Sequence, residues 1–286
     1  MLHRHENFDS GYSAAMATER ELIESTEWPA TVASLADQLG EVGIDQGDVL
    51  IVHSSMSALG WVAGGAQAVV EALLAAVGVS GTLVMVTQSG QLTNPALWNN
   101  PPVPKEWVET IRAELPAYDP AVTPTRGMGQ IAECFRNHPQ TIRSDHPTLS
   151  FAANGPSAVD ITSGHQLTPA FGETSPLATL YELDAMVLLL GSSHTNNTSF
   201  HLAEHRASWP TKNDCTEGGP VLVDGKRTWV EYRDLEPRDE DFEQIGAAFA
   251  VSAEESSGTV GTGKARLSRQ RALVDFAVEW MNANRR

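Results

Sequence analysis

The chain has few cysteines: two in 286 residues, Cys134 and Cys215, in neither a CxxC pair nor a zinc-like cluster. That excludes a disulfide-built scaffold and makes free thiols in a reducing cytoplasm the expectation. Basic residues are also scarce. Nineteen Lys and Arg stand against 36 Asp and Glu, a formal net charge of −17. This balance excludes nucleic-acid binding through a basic face. It serves solubility, and it also suits the gathering of a cationic ligand. No apolar run approaches the ~20 residues of a membrane span. The opening MLHRHENFDSGYSAAMATERE lacks the apolar centre of a signal peptide. No membrane partner and a cytoplasmic location are therefore expected. The glycine run Gly60–Gly65 is not GxGxxG and carries no Walker lysine, and Ser55 is not in GxSxG. Dinucleotide, P-loop and hydrolase-elbow readings fail on those absences.

What is present reads as alternating strands and helices. The hydrophobic content, 41%, is enough to build one large α/β domain. Residues 1–18 read as a flexible arm and 19–286 as a single domain. Asp48–His53 reads as a strand that runs into Ser54, Ser55 and Ser57, then Gly60. Gly64 and Gly65 lead into a helix over Ala66–Val77, and Thr82–Thr87 is a second buried strand. A strand–loop–helix–strand unit predicts a mainly parallel sheet. Gln88–Tyr118 is a long Pro-, Asn- and Trp-containing segment, a length typical of functional or mobile loops. Asp224-Gly225 marks a β-hairpin, a small insertion around 218–233. Ser257–Ala265 reads as a glycine-rich turn or strand, and Leu267–Asn284 as a closing amphipathic helix.

The chain is organised around Leu183–Ala207, LDAMVLLLGSSHTNNTSFHLAEHRA. The apolar run Ala185–Leu190 predicts a strand buried on both faces. Gly191 ends it, a polar loop follows, and Thr198 or Ser199 is placed to cap a helix starting near Phe200. That helix sets His201, Glu204 and His205 on neighbouring positions. Open α/β sheets place their sites at such strand–loop–helix junctions. His201 to His205 also matches HxxEH, which on a helix brings two histidines toward a metal. No third ligand stands out, so the pattern competes with a histidine general base oriented by a carboxylate.

The blocks DVLIVHSSMSALGWVAGG, GTLVM, GMGQIAECFR, RSDHPTLSFAANG, FGETSPLATLYELDAMVLLLG, TSFHLAEHRA, FEQIGAAF and ALVDFAVEWM occur in this order. In them the chain resembles the aminoglycoside 3-N-acetyltransferase family, the antibiotic-acetyltransferase type outside the GNAT fold. The resemblance covers about Ser34 to Met281. It implies a three-layer α/β/α sandwich with a mainly parallel central sheet, acetyl-CoA as co-substrate, and an aminoglycoside acceptor acylated on its deoxystreptamine ring. Thr198, His201, Ala203 and Glu204 fall on the family's T-x-x-H-x-A-E pattern, and His146 on its R-S-x-H-P. His205 is not a fixed part of that pattern. No metal is implied. Carried onto this chain, His201 is the candidate base of a direct transfer in a ternary complex. Glu204 or Glu173 orients it, and Thr198, Ser199 or amides of that helix N-terminus meet the thioester oxygen. His53, Ser54, Ser55, Ser57, Gly60, Trp61 and Val62 are candidate CoA contacts, with Arg126, Arg143 and Lys264 as cations. Asp119, Glu173, Asp214 and Glu217 are candidate partners for substrate ammonium groups. A monomer or homodimer is equally compatible with the sequence.

Overall fold

The computed structural model describes residues 19–99, 101–252 and 254–286; the arm expected over 1–18 lies outside the described residues. The central element is a seven-stranded sheet. In chain order its strands are β1 (Val49–Ser54), β2 (Thr82–Val86), β3 (Ile142–Arg143), β4 (Phe151–Asn154), β5 (Met186–Leu190), β8 (Glu255–Val260) and β9 (Gly263–Arg269). β6 (Asp214–Val223) and β7 (Lys226–Leu235) form a separate hairpin, longer at both ends than the sequence suggested. The order across the large sheet is β3-β4-β2-β1-β5-β9-β8. β1 pairs in parallel with both β2 and β5, while β4 and β9 run antiparallel to their neighbours. Five strands therefore point one way and two the other.

The helices that flank the sheet include α1 (Val32–Val42), α2 (Gly65–Val77), α3 (Val108–Glu114), α4 (Gly129–Arg136), α5 (Ala158–Thr162), α6 (Pro176–Glu182), α7 (Ser199–Arg206), α8 (Phe242–Ala250) and α9 (Gln270–Asn284). Strand alternation sends side chains to two cores. Leu50 and Val52 of β1 join Leu35, Val69, Leu73 and Phe135 of α1, α2 and α4 on one face. Ile51 joins Leu177, Phe200, Phe242, Ile245 and Leu273 of α6, α7, α8 and α9 on the other. This is the three-layer α/β/α sandwich. Period-two alternation also decides where His53 goes: two residues after Ile51, it points to the face that carries α7.

Two sequence boundaries move. The glycine-rich run before the last helix is a full edge hairpin, β8 and β9, and Leu267–Arg269 belong to β9 rather than to the helix. Edge pairing to β5 takes those residues before the helical period begins.

Candidate active site

β1 and β5 lie side by side and end together, with Ser55 N donating to Leu190 O at 2.9 Å. β1 has β2 on one side and β5 on the other, so the crevice beyond the two strand ends is a topological switch point. Gly191, at φ 64, turns the chain out of β5; a Cβ there would lie 2.5 Å from the Ala58 Cβ. Glycine is what lets the loop after β5 pass so near the turn after β1. The loop then makes one 3-10 turn, His194–Asn196, and enters α7. His194 Nε2 is 2.8 Å from Glu255 Oε2, which ties the loop to β8.

Asn197, fully buried, closes the first turn of α7. Its Oδ1 accepts from Ser199 N at 3.2 Å, and its carbonyl accepts from Phe200 N at 3.1 Å. Thr198 O accepts from His201 N at 3.0 Å, and the Thr198 side chain makes no capping bond. The cap expected from Thr198 or Ser199 is thus supplied one residue earlier. Three amides of this helix N-terminus, those of Ser199, Phe200 and His201, are engaged within the protein.

His201 and Glu204 stand one turn apart on α7. His201 Nδ1 is 2.6 Å from Glu204 Oε2. A carboxylate only accepts, so Nδ1 carries a proton, and in the neutral ring the lone pair is on Nε2. The ring is stacked on Phe171 (centroids 4.8 Å apart, planes 7° apart) and flanked by Phe242 at 5.0 Å. Glu204 is buried and fully partnered: its Oε1 accepts from Arg285 Nη1 at 2.6 Å and from Arg238 N at 3.0 Å. Arg285, also buried, forks onto Asp241 through Nε at 2.9 Å and Nη2 at 2.6 Å. Lys212 Nζ closes the C-terminus of α7 on the carbonyls of Glu204, His205 and Ala207, at 2.7, 2.9 and 2.7 Å.

His201, Thr198 and Asn197 border a cavity of about 810 Å³ together with His53, Ser54 and Ser55. Lys264 and Arg266 of β9 are the charged groups on its wall, and no described carboxylate borders it. A second cavity, about 760 Å³, shares Ser54, Ser55, Gly127 and Met128 with the first and is lined by Ser57, Gly60, Trp61 and Val62. The two form a divided cleft of the size that small-molecule and cofactor sites occupy. His53 Nε2 is buried without a hydrogen-bond partner. Burial, then the neighbouring His201 and His194, push its imidazole down to about 4.

The model of the aminoglycoside 3-N-acetyltransferase family matches residues 51–282. The chain belongs to this family. It is therefore an acetyltransferase. An aminoglycoside N(3')-acetyltransferase-like protein of Bacillus subtilis, YokD, is 44% identical over 93% of this chain and 97% of its own. Its crystal structure superposes with a TM-score of 0.90, covering 93% of this chain and 98% of that one. Aminoglycoside N(3)-acetyltransferase VII of Streptomyces paromomycinus is 36% identical over 92% of this chain and 95% of its own. Several solved acetyltransferase structures hold ligands. AAC-IIIb with CoASH is 29% identical, with a TM-score of 0.80 over 89% of this chain and 97% of that one. AAC-VIa with sisomicin is 30% identical, with a TM-score of 0.81 over 90% and 98%.

Within this acetyltransferase several expected residues lie apart from the cleft. His146 is buried beside His165: its Nδ1 accepts from Leu149 N at 3.0 Å, its Nε2 lies 3.3 Å from Leu167 O, and burial pushes the ring down to about 3. Glu173 is engaged by Arg206 at 2.7 and 3.0 Å, and Arg206 holds its carboxyl below the usual range. Glu204, not Glu173, orients His201. Arg143 donates to Thr87 O, Thr123 O and three hydroxyls and so staples the protein internally. Arg126 is exposed, its backbone N donates to Gln88 O at 2.9 Å, and it lies outside both cavities. Asp119 is exposed and caps its own turn at Ala121 N; Asp214 lies 3.6 Å from Arg233. Glu217 is half-buried, and burial with nearby Asp234 raises its carboxyl. None of these acids borders either cavity.

His205 has a different setting from His201. The Glu204 oxygen that faces His201 is taken by its Nδ1, and the His205 ring packs against Gly172. Among the described residues no group of three or more His, Cys, Asp and Glu side chains is placed to hold a metal ion. No described helix is long and apolar enough to cross a membrane.

Sequence reasoning missed Arg285, Asp241 and Arg266. Their signal is charge complementarity across long separations, which a single sequence does not display.

Proposed function

We propose that this enzyme transfers the acetyl group of acetyl-CoA to an amine of an aminoglycoside in one direct step, with His201 as general base. Acetyl-CoA is the co-substrate, in keeping with the CoASH held by AAC-IIIb. The observation that carries the reading is the His201–Glu204 pair, 2.6 Å apart, at the edge of a cleft whose charged wall is cationic. The acceptor amine is a cation at neutral pH; it releases one proton to solvent and attacks as the free amine, which still carries the proton it must lose as the C–N bond forms. His201 Nε2 takes the proton as nitrogen bonds to the thioester carbon, and Glu204 stabilises the imidazolium. The C–S bond then breaks, and the proton on His201 returns to the leaving thiolate.

The chain's own groups divide the remaining work. Lys264 and Arg266 face the phosphates of CoA, with Ser54, Ser55, Ser57 and the Gly60–Val62 segment along its length. Thr198 and His53 are the side-chain donors for the thioester oxygen, His53 as a neutral imidazole. The polycationic acceptor approaches from outside the cationic wall, drawn by the acidic surface. The test is CoA release with sisomicin, gentamicin and a non-antibiotic amine. Release with an aminoglycoside supports the reading. Background rates with both drugs but turnover of the other amine would assign the same chemistry to another acceptor.

A further inference from the structure

We infer that Arg285 is a positioning residue for acetyl transfer: its guanidinium holds Glu204 as a pure acceptor for His201 Nδ1–H and so keeps the lone pair on Nε2. The inference rests on the reading of His201 as base. Arg285 follows α9 in extended backbone, and its side chain turns inward until 1% of it is exposed. Every contact fixes its direction. Asp241 holds Nε and Nη2, Arg238 O takes Nη2 at 2.6 Å, and the guanidinium carbon lies over the Trp209 ring, 4.7 Å from its centroid. What remains is Nη1, aimed at Glu204 Oε1 at 2.6 Å. The fork is preorganised from behind and delivers one charge-assisted bond to the carboxylate.

The consequence is chemical. Glu204 is 1% exposed, and a buried carboxylate without a cation tends to take up a proton. A protonated Glu204 would donate to His201 Nδ1 instead of accepting from it. The imidazole would then carry its proton on Nε2, where the amine needs a lone pair. With Arg285 in place, Asp241, Arg285 and Glu204 sum to one negative charge, matched when His201 gains its proton. Other ionisable groups face this array: His53 from β1, His194 from the loop after β5, and His205 on α7 with Asp234 of β7 behind it. Lys212 and Arg238 complete the set. All of them remain when Arg285 alone is changed.

The experiment is the pH dependence of kcat/KM for an aminoglycoside at saturating acetyl-CoA, read as thiol release, for wild type, Arg285→Met and Arg285→Lys. Removing the cation makes the His201–Glu204 pair hold a proton more readily. The acid limb of Arg285→Met is expected to move up by about one pH unit or more, with the rate recovering to within several-fold of wild type above it. A merely structural arginine would lower active enzyme equally at every pH, and an unmoved limb overturns the inference. Should the methionine variant not fold, Arg285→Lys decides. A lysine keeps the charge without the fork, so its limb is expected to rise by about half a unit, and coincidence with wild type overturns the inference. Undiminished rates in His201→Ala would instead refute the base reading itself, and this inference with it.

Discussion

Glu204 accepts from His201 Nδ1 on one oxygen and from Arg285 on the other, and it lies three residues from His201 on the same helix. The spacing fixes the imidazole tautomer without any element having to move. His201→Ala should lower kcat by about 10²–10⁴-fold, the contribution of a general base. Glu204→Gln should approach that loss, because its amide donates to Nδ1 and leaves the proton on Nε2. Steady-state rates with unchanged thermal melting would establish this; a glutamine variant at full rate would show that the tautomer does not matter.

Three buried histidines make the fold sensitive to acid. His53, His146 and His165 are pushed from 6.5 to about 4, 3 and 4, chiefly by burial. They are neutral in the folded chain and charge on unfolding. Their contribution is therefore fully present above pH 6.5 and is lost as pH falls toward their folded values. Each contributes a slope of up to ~1.4 kcal/mol per pH unit within that window. Urea unfolding at pH 7.5 and 5.5 should show stability falling between the two. Constant stability across that range would mean these rings are charged in the folded protein.

His146 separates structural from chemical histidines. Its Nδ1 accepts a backbone amide proton while Nε2 faces a carbonyl, a pattern that asparagine cannot reproduce at both ends. His146→Asn should unfold about 2 kcal/mol more easily. Its kcat should stay within a few-fold of wild type, since the ring borders neither cavity. A hundredfold loss of kcat in the folded variant would return His146 to the reacting centre.

Much of this could be read in the sequence because it is local. The apolar runs of β1, β2 and β5 are buried on both faces, so each reads as a strand without reference to its partners. His201 and Glu204 are legible for the same reason: an i, i+3 pair meets wherever a helix forms. What was not legible depends on distant partners. Arg285 reaches Glu204 across 81 residues, and nothing around it marks it as buried. Glu173 was a candidate by residue type and His146 by the family's R-S-x-H-P, yet Arg206 and the Leu149 amide engage them. The β8–β9 hairpin was blurred because its glycines and serines carry little strand propensity; pairing with β5 makes it a strand pair.

His53 offers a test in which stability and activity move in opposite directions. An imidazole nitrogen buried without a partner costs about 1–3 kcal/mol, and an apolar side chain of similar shape removes that cost. His53→Leu should melt at or above the wild-type temperature. The same substitution removes a donor proposed for the thioester oxygen, so kcat should fall by about 10²-fold while both KM values stay near wild type. A lower melting temperature with full kcat would make His53 a packing residue and leave Thr198 as the donor.

Lys264 tests which end of the cleft receives CoA. It is exposed on β9 at the wall of the larger cavity, beside Arg266, whose Nη1 lies 3.3 Å from Ser192 O and whose Nε lies 3.7 Å from Glu255. Arg266 is thus held in place by the fold, while Lys264 can be changed without disturbing a partner. Lys264→Ala should raise KM for acetyl-CoA by roughly tenfold, the loss of one charge-assisted phosphate contact, and leave kcat unchanged. The wild-type advantage should shrink at 0.5 M salt, where exposed charges are screened within about 5 Å. The aminoglycoside KM should stay level or fall, because the variant presents one fewer cation to a polycation. A rise in the aminoglycoside KM instead would place the drug, not CoA, against this wall.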